Sequence, residues 1–225
     1  MKKIIIALFL SSFLGLGANA DSTNVGLSMS SVAMDASGSH TTNSETAGSL
    51  GGLGAAVTAN STADFLMGSL FAERQVDISG PVSIAIGLNI IPVEAEIDTI
   101  TGGDGFDATL EVSDVMTLYI QPMFAVSDSV SLYVRAGLLE GDLNIKDTLR
   151  QTSFDSGGAT DGNTSKSLEG VTVGGGVQVM SDSMFVRLET MHTNLDPISH
   201  TNSNKKVIKA DAEMDVFSLS IGKSF

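Results

Sequence analysis

Apolar residues fall on alternate positions through most of this chain, in blocks of nearly constant length. Val82, Ile84, Ile86, Leu88 and Ile90 form one block, and Met116, Leu118, Ile120, Pro122 and Phe124 a second. Val130, Leu132, Val134, Ala136 and Leu138 form a third, and Val171, Val173, Gly175, Val177 and Val179 a fourth. Met184, Val186, Leu188 and Thr190 follow, then Phe217, Leu219, Ile221 and Phe225, interrupted only by Lys223. A period of two is the signature of a β-strand with two unlike faces. Val25, Leu27 and Met29 open an earlier strand that runs to about Asp35. Ala63 to Val76 makes another, but both of its parities carry apolar residues, so its facing stays open. The pattern predicts an all-β fold of eight strands, most of whose apolar bands span nine residues.

Short and long connections alternate. Asp77–Gly80 is a tight turn, and Ser127-Asp128-Ser129 and Ser181-Asp182-Ser183 repeat one tripeptide between consecutive strands. The segments 36–61, 98–105, 147–166 and 196–206 are polar and read as long loops, with Leu50 to Thr58 undecided between a short strand and a turn of helix. This is an antiparallel up-and-down order with turns at one end and loops at the other. Nine residues is the length a tilted strand needs to cross a hydrocarbon core, about nine to eleven. A soluble sandwich or lipocalin-like barrel also alternates, but it has no reason to keep one band length.

Composition narrows the choice. The chain has 225 residues, no Cys, 24 Gly and only 4 Pro. Without Cys there is neither a disulfide framework nor a thiolate site. Lys2 and Lys3, the apolar run Ile4 to Leu16 and Ala18-Asn19-Ala20 read as a cleavable secretory leader, 1–20, ahead of a single domain, 21–225. The formal net charge of −14 becomes more negative once Lys2 and Lys3 are removed, which argues against nucleic-acid partners. No stretch after the leader is apolar for eighteen residues, so membrane insertion would require a closed barrel, the strand arrangement that satisfies every backbone group in lipid.

The alternating segment Asp215–Phe225 with its terminal Phe, the stretch Ser131–Leu139 reading SLYVRAGLL, the leader and the eight strands together resemble the small opacity and OmpA/OmpX-like outer-membrane β-barrels. The likeness is one of pattern and covers nearly the whole mature chain. It departs in having no Trp and only Tyr119 and Tyr133, so aromatic girdles are thin. The resemblance implies outer-membrane lipid and lipopolysaccharide as surroundings, a monomer, and Phe217, Leu219, Ile221 and Phe225 as the signal read by the barrel-assembly machinery.

With the apolar parity facing lipid, the lumen receives small and polar residues, among them Tyr119, Gln121, Tyr133, Arg135, Arg187 and Glu189, with Glu73 as a further member. An eight-stranded barrel is just wide enough for such side chains to fill, and these suit a charge-assisted network. Followed beyond the bands, the outward parity becomes acidic: Glu94, Glu96 and Asp98; Asp114; Glu140 and Asp142; Glu169; Asp211, Glu213 and Asp215. Solvation alone accounts for such a collar. The sharper alternative is Ca²⁺ or Mg²⁺ bridging these oxygens to lipopolysaccharide phosphates; no other cofactor is expected. His40, His192 and His200 lie near loops without a nucleophile at a telling spacing, so the chain reads as no enzyme. The expected role is structural or surface-interactive, in membrane integrity or adhesion. A narrow porin or a soluble lipocalin-like carrier is the alternative.

Overall fold

All regular structure in the described residues is extended strand. The computed structural model describes residues 22–41, 57–92, 94–101, 106–149, 164–201 and 207–225; the expected leader and segment 50–56 lie outside them. The strands are β1 (Ser22–Thr41), β2 (Val57–Ser79), β3 (Val82–Ile91), β4 (Ala95–Thr101), β5 (Phe106–Ala125), β6 (Val130–Leu149), β7 (Thr164–Ser181), β8 (Met184–Leu195), β9 (Ile198–Thr201) and β10 (Val207–Ser224). Both β3 and β4 pair with β5, and both β8 and β9 pair with β10, so ten segments make eight staves. The break between β3 and β4 falls at Pro92, which has no N–H to give to a ladder. Every pairing is antiparallel, and β1 closes on β10 from Asn24 opposite Ser224 to Thr41 opposite Val207. The result is a closed eight-stranded antiparallel barrel; among the described residues the outer segments β4 and β9 each pair on one side only.

Three tight turns lie at one end. Gly80 (φ 55°) and Asp182 (φ 52°) take the left-handed conformation that two-residue hairpins require. Ser127 Oγ accepts the Val130 N–H at 3.1 Å, which closes the third turn. The chain terminus is held at the same end, where the Phe225 N–H donates to the Thr23 carbonyl at 2.9 Å.

The polarity of the two faces reverses partway along the barrel, while the odd-numbered residues of β1 and β10 point outward throughout. Near the turns, each stave points large apolar residues outward: Val25, Leu27 and Met29 on β1, Val134 and Leu138 on β6, Phe217, Leu219 and Ile221 on β10, all exposed. At that level the lumen takes Ser28, Ser30, Ser218 and Ser220. Farther from the turns, β10 points Asp211, Glu213 and Asp215 to solvent, while Ala212, Met214 and Val216 are withdrawn. On β1, Asp35 and Ser37 are exposed, whereas Val32 and Met34 face inward. Nine residues at ~3.4 Å each, tilted by about 40°, give an apolar belt about 23 Å tall.

This reversal explains where the strands differ from expectation. β1 continues to Thr41 instead of ending near Asp35, and β2 begins at Val57 instead of Ala63. The expected loops 98–105, 147–166 and 196–206 likewise shrink, because β4, β6, β7 and β9 take part of each. Where the side chains there are described, as at Ser165 and Ser199, the polar residues are the outward faces of strands that have left the belt. The ambiguous second strand has the same cause: Leu66 and Leu70 face outward inside the belt, and Phe65 and Met67 face the lumen at and beyond its upper edge.

A bulge on β5 completes the pattern. The register shifts between Ser113 and Met116, with Asp114 at φ 52°, a conformation Asp tolerates better than most residues. The extra residue lets both Val112 and Val115 line the interior.

Candidate functional site

The lumen has three tiers. Nearest the turns is a charged plug built on six staves. Glu73 of β2 receives Arg187 of β8 in a two-pronged ion pair, with Nη1 donating to Oε2 at 2.9 Å and Nη2 bonding Oε1. Asn24 Nδ2 and Tyr119 Oη complete the carboxylate shell at 2.9 and 2.8 Å. Arg187 Nε donates to Gln178 Oε1 at 2.7 Å. Both members of the pair are about fully buried, at 1% and 0% side-chain exposure, so the geometry must repay their desolvation. Arg135 of β6 forms a second pair, donating to Glu189 Oε1 at 2.9 Å and through Nε and Nη2 to Gln121 Oε1.

Rings hold the two guanidinium groups in place. Arg135 lies 4.1 Å from the Tyr119 centroid, and Arg187 lies 4.5 Å from that of Phe185 and 5.3 Å from that of Phe71. The Tyr133 ring is within 5.7 Å of both. Each of four inward rings lies directly opposite a glycine on the adjacent strand: Phe71 faces Gly26, Tyr119 faces Gly87, Tyr133 faces Gly176, and Phe185 faces Gly222. A Cβ at any of these glycines would enter the ring's van der Waals envelope. The missing side chain is therefore the seat of the ring.

Above the plug is a tier of hydroxyls bonded in pairs across strands: Ser28 with Ser220 at 2.8 Å, Ser30 with Ser218 at 2.7 Å, and Thr193 donating to Thr172 at 3.0 Å. Beyond it the interior turns apolar. Val115, Leu139, Leu168 and Leu195 form a buried cluster with Met34, Ile91, Ile198 and Met214 against it, bordering a cavity of about 390 Å³.

The sequence-derived lumen residues Glu73, Tyr119, Gln121, Tyr133, Arg135, Arg187 and Glu189 thus lie in one contact network. Asn24, Phe71 and Phe185 belong to it and were missed. The two Phe residues stand on the polar parity of their strands, opposite a glycine, and that juxtaposition is visible only once the register is known. The apolar tier was missed as well, although Ala212, Met214 and Val216 alternate with the very acids that drew attention.

Among the described residues those acids do not form one ring. Asp211, Glu213 and Asp215 are exposed on the outer face of β10, and Asp35 and Asp64 join them from β1 and β2. Glu94 is exposed but sits in the break between β3 and β4, and Asp114 occupies the bulge instead of the regular outward alternation. Asp142 and Glu169 are half-buried, and Glu140 is buried, contrary to a free rim position. The side chains of Glu96, Asp98, His40 and His200 lie outside the described ones. Among the described residues no three His, Asp or Glu side chains converge on a metal position. His192 meets Asp215 across the β8–β10 ladder, Nδ1 to Oδ1 at 2.8 Å, just outside the belt. That hydrogen bond holds the imidazolium and raises its pKa above the ordinary value. Phe217, Leu219, Ile221 and Phe225 all point outward and are exposed.

No protein-family model and no curated protein matches this sequence. Among solved structures, the chain is similar to Ail, the attachment invasion locus protein of Yersinia pestis, crystallised with the heparin analogue sucrose octasulfate. The identity is 13%, coverage is 89% of this chain and 99% of that one, and the TM-score is 0.42. For Neisserial surface protein A the values are 12%, 88% and 97%, with a TM-score of 0.43. For the outer membrane protease OmpT of Escherichia coli they are 9%, 93% and 99%, with a TM-score of 0.45. The barrel architecture stands on the closed ladder of this chain itself.

Proposed function

We propose that this chain is an integral outer-membrane barrel, non-catalytic and closed to ions, with a structural or surface-interaction role. One observation carries the reading: exposed large apolar side chains girdle all eight staves at one level. A belt far beyond the few-hundred-Å² patches of soluble monomers has one ordinary solvent, lipid. Lys223 stands within that belt near the turn end, its Nζ 4.9 Å from the Phe225 ring, where it reaches headgroups by snorkelling. At the belt's level the lumen is filled by Arg187, Glu73, Gln121 and Asn24, each fully buried, which speaks against the narrow-porin alternative. Insertion by the barrel-assembly machinery through the strand ending at Phe225 belongs to this reading. So does contact between the exposed acids of β1, β2 and β10 and lipopolysaccharide phosphates through divalent cations. Membrane fractionation with heat-modifiable gel mobility tests it. The protein is expected in the outer-membrane fraction, migrating faster unboiled than boiled and silent in planar bilayers. A protein that remains soluble without detergent, or that gives steady unitary currents, overturns it.

A further inference from the structure

The cavity above the hydroxyl tier is larger than packing requires. Close-packed interiors leave few voids bigger than a water molecule, whereas this one measures about 390 Å³, within the range of small-molecule sites. Its middle section is walled by Val, Leu, Ile and Met side chains, a lining that favours apolar molecules, between a polar mouth with Asn60, Asp196 and Asp211 and the hydroxyls below. Four of the walls' members are methionines, Met34, Met67, Met191 and Met214, whose flexible thioethers adapt to a variable occupant. Polarity is graded along the axis, from the aliphatic walls through the hydroxyl pairs to Arg135 and Glu189 at the floor. Arg135 retains 10% exposure, unlike the sealed Arg187 at 1%. At roughly 30 Å³ per water-sized group, the cavity of about 390 Å³ holds about a dozen chain atoms.

From these features we infer that the outer half of the barrel is a binding chamber for one medium-length aliphatic chain with a small polar head, of the fatty-acid or fatty-alcohol class. The tail lies among the methionines, and the head reaches the hydroxyl tier, where Ser30, Ser218, Thr172 and Thr193 exchange hydrogen bonds with it. The same chamber accepts the acyl chain of a membrane lipid, and the experiment separates the two sources. The membrane setting comes from the proposed function; a barrel that fails to insert is recognised by fractionation before any ligand is added.

The test is a methyl NMR titration of the full barrel, labelled at methionine ε-methyls, in phospholipid nanodiscs with decanoic acid and, separately, decanol. Saturable shifts are expected at Met34, Met67, Met191 and Met214, while the lipid-facing Met29 and Met184 report only gradual partitioning. Preference for decanoic acid over decanol assigns the head to Arg135, and equal affinity assigns it to the hydroxyls. Contacts from chamber methyls to protonated lipid chains, not displaced by decanoic acid, identify a lipid as the source. Ala212→Phe, which fills the wall, is expected to weaken binding at least tenfold. Chamber methyls that neither shift nor contact lipid, or that shift without saturation in step with Met29, overturn the inference.

Discussion

Truncating Glu73 tests the plug most directly. In Glu73→Ala the Arg187 guanidinium loses both prongs of its partner while keeping 1% exposure, and Asn24 Nδ2 and Tyr119 Oη lose their acceptor. Leaving one member of a buried ion pair uncompensated costs about 3–5 kcal/mol, a large part of the ~5–15 kcal/mol that holds an ordinary domain together. Replacing both partners tells a different story. In Glu73→Leu with Arg187→Leu no charge is left behind, and exchanging a buried pair for apolar groups is commonly neutral or better. The double variant is therefore expected to be more stable than Glu73→Ala and than Glu73→Leu or Arg187→Leu alone, with a coupling between the two sites of at least about 2 kcal/mol in the Leu cycle. Asn24→Ala, which removes a single hydrogen bond to a carboxylate, should cost about 1.5–3 kcal/mol. Equilibrium urea unfolding in lipid vesicles at neutral pH gives these values. A Glu73→Ala barrel within about 1 kcal/mol of the parent, or strictly additive effects in the cycle, would refute the reasoning that the pair is sealed and mutually dependent.

Gly222→Val drives a branched side chain into the Phe185 ring, so a loss of about 1–3 kcal/mol is expected; pairing it with Phe185→Ala should recover part of that loss, and a double variant weaker than either single one would count against the seat. The His192–Asp215 pair sets a pH response. Because the folded-state pKa is raised, the pair's contribution is complete below the unfolded value of about 6.5 and is lost as pH rises through the higher folded one. The imidazole signals of His192 should titrate above about 6.5 in the parent and nearer to it in Asp215→Asn; identical midpoints would dismiss the pair.

The belt was legible in the sequence because lipid imposes the same demand on every stave, and a demand repeated eight times rises above local noise. The lumen parity followed directly, which is why Arg135, Arg187 and Glu189 were found from alternation alone. Who meets whom was not legible. Pairing Phe71 with Gly26, or Glu73 with Arg187, depends on a register between strands far apart in sequence, and the ambiguous parity of β2 hid even the facing of Glu73. The outer strand segments were mistaken for loops because their outward faces are polar and rich in Ser, Thr and Asp, as loops are. Only the apolar partners on the alternate parity, such as Met34 and Met214, distinguish the two.

The reversal of polarity between the two faces also acts as a lock on alignment. A barrel that alternates in one sense only is guarded against a one-residue slip over that part of its length alone. Here a slip of β10 against its neighbours would turn Leu219 and Ile221 into the lumen and Ser218 and Ser220 into lipid. The same slip would swing Glu213 and Asp215 into the aliphatic interior and put Met214 and Val216 into water. Each half rejects the error for its own reason. The strand's position is therefore fixed twice, from the hydrocarbon below and from the solvent above.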